Sequence, residues 1–152
     1  MNRLLAMAPL LALSATNPFA LAQSGDPNKQ GVTPVSIAGS YLGLIADVSA
    51  FKQTKCGYAL KKEFPTYSDF VTTEILPLFS ANFRTEAQTT LMERLPAVQQ
   101  QAKVHIAEML AHAQKETTDE RRVCWAVAAL LAHKGSRMQE DWNTAKKLHN
   151  RK

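Results

Sequence analysis

Two cysteines, Cys56 and Cys124, constrain this chain more than any other feature. If they pair, two elements far apart in sequence must meet with Cα atoms about 4.4–6.8 Å apart. In the chain-entropy picture a closure of that length is worth about 4 kcal/mol. Pairing depends on the redox compartment, and the N-terminus bears on that. Arg3 is followed by an apolar run from Leu4 to Ala15 and then by Thr16-Asn17-Pro18-Phe19-Ala20-Leu21-Ala22. This is the basic, apolar and small-x-small order of a secretory signal peptide, with cleavage expected before Gln23. A bilayer span needs about 20 apolar residues, more than the run contains. Cleavage leaves no cysteine at the new N-terminus to carry a lipid. The sequence therefore predicts a periplasmic protein with one intramolecular disulfide between Cys56 and Cys124. The alternative of Cys124 as a nucleophile is set aside, because Arg121-Arg122-Val123 precede it instead of a tight Gly-x-Ser turn.

After the expected signal peptide of residues 1–22, residues 23–34 read as a leader rich in turn formers with little to bury. Residues 35–152 read as a single helical domain. Tyr41, Leu44, Ile45, Val48 and Phe51 recur at helical spacing and predict a first helix over about 35–55, ended by Gly57. Ser68 as N-cap, Asp69, and the apolar set Phe70, Val71, Ile75, Leu78 and Phe79 predict a second helix over 69–83, bent at Pro77. Leu91, Met92, Leu95, Val98, Ala102, Ile106, Met109, Leu110 and Ala113 predict a third over 86–115, kinked at Pro96 or divided there. Thr118 as cap and Val123, Cys124, Val127, Leu130 and Leu131 predict a fourth over 119–134, closed by His133-Lys134-Gly135. A fifth starts at Ser136, with Met138, Trp142, Ala145 and Leu148 inward. No segment alternates with period two, so the expected class is all-α: a compact bundle of about five amphipathic helices with one disulfide.

Candidate chemistry is sparse. His105, Glu108 and His112 read H-x-x-E-x-x-x-H, which puts imidazole and carboxylate ligands on similar bearings of one helix and makes them metal-ligand candidates. A third or fourth rigid ligand is needed, and His133 and His149 lie elsewhere without a spacing signature. The bland reading, amphipathic imidazoles flanking an apolar stripe, is preferred, and no cofactor is expected. Glu74 and Glu93 stand beside apolar residues, yet no motif marks a glycosidase-like carboxylate pair. No G-x-S-x-G elbow occurs. Gly39 and Gly43 lie inside a helical pattern, where close helix packing is expected of them.

The 152-residue chain has a formal charge of +5, which falls to +4 once the expected signal peptide containing Arg3 is removed. Export turns this basic balance away from nucleic acid and toward anionic envelope components or an acidic protein. Lys146, Lys147, Arg151 and Lys152 make a basic end that is the expected partner-binding surface. Without a catalytic constellation, the chain reads as a non-enzymatic periplasmic interaction protein that inhibits or stabilises a macromolecular partner. Toxin-neutralising immunity proteins and small periplasmic chaperones use architectures of this general kind, an analogy of fold only. The alternatives are an envelope enzyme acting on a cell-wall component and a metal-binding periplasmic protein.

Overall fold

A computed structural model describes residues 34–149. The expected signal peptide, the leader through residue 33, and Arg151 and Lys152 lie outside the described residues. Within them the protein is helical and contains no strand. Four helices follow one another: α1 (Pro34–Lys52), α2 (Tyr67–Phe70), α3 (Ala81–Glu116) and α4 (Glu120–His149).

Helix α1 is the centre. The expected face of Tyr41, Leu44, Ile45, Val48 and Phe51 is buried, and so are Ala38, Leu42, Ala46 and Ala50 on its other sides. A helix apolar nearly all round must be surrounded, and α3 and α4 pack on it. One long line escapes burial. Ser36 and Ser40 are exposed, and Gly43 and Asp47 are partly open. Residues spaced three or four apart share a bearing on a helix, so these four form a polar strip along α1; Ser49 and Lys52, also exposed, lie on another bearing near its C-terminal end.

The chain leaves α1 through a turn in which the Thr54 hydroxyl donates to the Phe51 carbonyl at 2.7 Å and accepts from the Cys56 N–H at 3.1 Å. Gly57 follows because a Cβ there would overlap the Lys52 carbonyl. Cys56 and Cys124 form the expected bridge, Cα to Cα 5.0 Å. It fastens the end of α1 to the start of α4, and both cysteines are at most 2% exposed.

The second expected helix is shorter and composite. Thr66, not Ser68, caps it by accepting from the Asp69 N–H at 3.1 Å. After Phe70 the backbone widens into a π-turn over Val71–Ile75 and tightens into a 3₁₀ turn over Leu76–Leu78. The Thr72 and Thr73 hydroxyls donate to the carbonyls of Ser68 and Asp69, competing with the regular ladder. Pro77 lacks an N–H, and Phe79 turns extended, which ends the element. Helix α3 consequently starts at Ala81, earlier than expected. It runs unbroken through Pro96. Pro96 is exposed, so water can satisfy the carbonyl one turn back that lacks an N–H partner.

The expected fourth and fifth helices are one. Asp119, not Thr118, caps α4 by accepting from the Arg121 and Arg122 N–H groups at 2.9 and 3.3 Å. Gly135, read as a stop, stays helical because its missing side chain serves packing: a Cβ there would overlap the Phe64 ring. Ser136 donates to the Ala132 carbonyl and accepts from Lys62, which carries the helix across the expected break. Leu130 and Leu148, expected inward, are 44% and 59% exposed, whereas Leu131, Trp142 and Ala145 are buried.

Candidate functional site

Two half-buried carboxylates organise the polar chemistry of the interior. The first is Glu74, held by the π-turn. Its Oε2 accepts from the Trp142 indole N–H at 2.7 Å and from the Lys146 ammonium. Trp142 is 2% exposed and stacks with Phe70, which meets Tyr41 edge-on, at ring centroid separations of 5.5 and 4.7 Å. Burial raises the Glu74 pKa, but the hydrogen bonds from Lys146 and Trp142 and the ammonium charge outweigh it, and the net direction is downward. Burial, and then the Glu74 charge, raise the Tyr41 pKa. The sequence placed Trp142 inward correctly, but nothing in it marked Glu74 as the acceptor that a buried indole N–H needs.

The second is Asp47, on the polar strip of α1. Its Oδ2 meets His105 Nδ1 of α3 at 2.8 Å. The two side chains stand on the wall of a cleft of about 430 Å³ whose lining also includes Gly43, Val98, Gln101, Ala102, Val104 and Glu108. Burial raises the Asp47 pKa, and the opposing effects of His105 and Lys134 do not cancel it. Gly43 does not serve helix packing as expected, because a Cβ built on it would meet no atom within 4 Å. Its open side is the cleft.

His105 and Glu108, two of the three metal candidates, thus reach one cleft, while His112 stands exposed farther along α3. His105 is engaged by Asp47, a residue the ligand spacing did not suggest. Among the described residues no three His, Cys, Asp or Glu side chains converge in a way that could hold a metal ion. Asp47 was missed because a single acid in an apolar helix matches no motif. The four-residue steps from Gly39 to Gly43 to Asp47 were the available signal.

The expected basic surface is divided. Lys146 is drawn onto Glu74 and lies over the Trp142 ring, 5.7 Å from its centroid; Lys147 is exposed. A different surface stands out on α4. Trp125 and Leu130 are 49% and 44% exposed, and Ala126 and Ala129 between them are exposed as well. From Arg121 to Gln139 the helix carries Arg121, Arg122, Lys134 and Arg137 and no acid. Among the described residues no helix is long and apolar enough to cross a membrane. Comparison of the chain with protein-family models, curated proteins and solved structures finds no match.

Proposed function

We propose that this is an exported, periplasmic interaction protein that binds an acidic macromolecular partner through the outer face of α4, and inhibits or stabilises it without catalysis. The observation that carries the reading is the Trp125–Leu130 strip. Single exposed apolar residues are ordinary, but a contiguous strip holding a half-exposed tryptophan, with cations before and after it along the helix, is the composition of an interface core. Tryptophan and arginine dominate binding energy where such surfaces are measured. The run from Arg121 to Gln139, with four cations and no acid, sets the sign of the partner. Toxin neutralisation or chaperoning both fit this mode.

The test is site-specific photo-crosslinking from position 125 in intact cells, followed by purification of the adduct and its mass. A single discrete protein adduct, lost in Leu130→Ser and weakened by salt because exposed charges are screened over about 8 Å, is expected. No adduct from position 125, with an adduct from Lys147, would return the interface to the C-terminal end. N-terminal sequencing of the periplasmic fraction should begin at Gln23; recovery with Met1 in the cytoplasm would remove export from the proposal.

A further inference from the structure

The cleft between α1 and α3 is not absorbed by an interface on α4, and three of its features converge. The first is the glycine. Glycine within a helix costs about 1 kcal/mol relative to alanine, and the usual compensation is a close approach by a neighbour. Gly135 shows that compensation in this protein, facing the Phe64 ring that a Cβ would overlap. Gly43 faces open space instead, so what its missing side chain provides is the cleft itself.

The second feature is charge. Asp47 and Glu108 line the cleft with His105, a local excess of negative charge in a chain of net charge +5. Among the described residues Asp47 is hydrogen-bonded through its side chain only at Oδ2, and the side chains of Gln101 and Glu108 make no hydrogen bond or ion pair. His105 from α3 and Lys134 from α4 both act on Asp47, yet burial still dominates its titration. Oδ1 accepts no hydrogen bond among the described residues, while the carboxylate stands on the cleft wall. Contrast Glu74, whose Lys146 and Trp142 donors complete it.

The third feature is shape. At about 430 Å³ the cleft lies within the range of pockets that hold small ligands. Val98, Ala102 and Val104 supply an apolar wall beside the polar one, and Val104 is 51% exposed.

From these we propose that the α1/α3 cleft binds an alkyl cation, an ammonium or guanidinium on an aliphatic stem, with the charged head between Asp47 and Glu108 and the stem along Val98, Ala102 and Val104. Such a group arrives either as a free diamine or as a lysine or arginine side chain of a partner protein. Gln101 supplies a further acceptor for its N–H groups. His105, on the same wall, engages Oδ2 of Asp47, and Oδ1 has no hydrogen bond among the described residues and is available to the ligand. The site is independent of the α4 strip, so either can fail without the other.

The experiment is an NMR titration of the isotopically labelled protein with 1,5-diaminopentane and, separately, with the capped peptide Gly-Gly-Arg-Gly-Gly. The neutral controls are 1,5-pentanediol and the citrulline peptide. Saturable shifts at the amides of Gly43, Ala102 and Val104 with at least one cation, and none with its neutral counterpart, are expected. A response to the diamine alone assigns a free amine; a response to the arginine peptide alone assigns a partner's side chain. Gly43→Leu extends into the cleft from a position where a Cβ meets no atom within 4 Å, so it should weaken binding by about tenfold or more while the melting temperature does not fall. Glu108→Gln removes an exposed charge and should weaken binding several-fold with the fold intact. Absence of saturable shifts from either cation would overturn the proposal, as would equal binding of the neutral controls or undiminished binding to Gly43→Leu.

Discussion

Glu74 and Asp47 are two partly buried carboxylates, Asp47 the more deeply, and although desolvation penalises both they end with opposite pKa shifts. Glu74 sits against an indole N–H and an ammonium, both directed at one oxygen. Asp47 has one imidazole and a cleft. Burial penalises a charge unless donors replace the lost water, so the contrast separates a carboxylate completed by its own fold from one that is not. A completed carboxylate is a structural tie between α4 and the π-turn. An incomplete one beside a cavity has capacity for a ligand.

The largest perturbation acts on both regions at once. Reduction of Cys56–Cys124 frees the end of α1 from α4 and should lower the unfolding free energy by about 2–5 kcal/mol. Urea melts with and without reductant measure it, and two freely alkylated thiols in the native protein would remove the bridge from the account. Glu74→Gln should cost about 2 kcal/mol, the scale of a hydrogen bond to a charged group together with a donor left poorly matched. Gly43→Ala should act in the opposite sense, raising stability by about 0.5–1 kcal/mol, since the helix gains propensity and the added methyl meets nothing. Asp47→Asn should change stability at neutral pH by no more than about 0.5 kcal/mol, because the weaker bond to His105 is offset by relief of a buried charge. If Asp47→Asn costs as much as Glu74→Gln, the contrast between the two sites is lost.

The pH dependence should sharpen the same distinction, with the smallest effects. Glu74 has a lowered folded-state pKa. Its contribution is present above its ordinary value of 4.5 and is lost as pH falls through the lower folded value. Asp47 has a raised one. The folded state binds its proton more readily than the unfolded state, so between its ordinary 3.8 and the higher folded value stability declines as pH rises. Denaturation profiles across the acid range should therefore be shallower in Glu74→Gln and steeper in Asp47→Asn than in the parent protein. Parallel profiles would show that neither carboxylate differs between the folded and unfolded states as described.

Much of the framework is legible without coordinates. The apolar spacing from Tyr41 to Phe51 specifies α1, because burial on one bearing requires period 3.6. The paired cysteines specify that α1 and α4 meet. The breaks were less legible. Gly135 followed by Ser136 has the composition of a helix end, and only the position of the Phe64 ring, from a segment 71 residues away in sequence, makes the glycine a packing residue inside α4. Ser68 and Thr118 are as good as caps in composition as Thr66 and Asp119; the choice depends on where the chain enters, a property of the tertiary path.

The sequence alone therefore determined the class of structure, the existence of the first helix and its buried face, the disulfide and the burial of Trp142, since each follows from local periodicity or from chemistry carried by the residue itself. Tertiary structure decided which polar groups find partners. Asp47 meets His105 across 58 residues and Glu74 meets Trp142 across 68, and no local rule connects positions so far apart. It also decided that Trp125 and Leu130 face outward, because the bearing of α4 is set by its bridge to Cys56 and its packing on α1, and that bearing places one apolar strip of the helix on the surface.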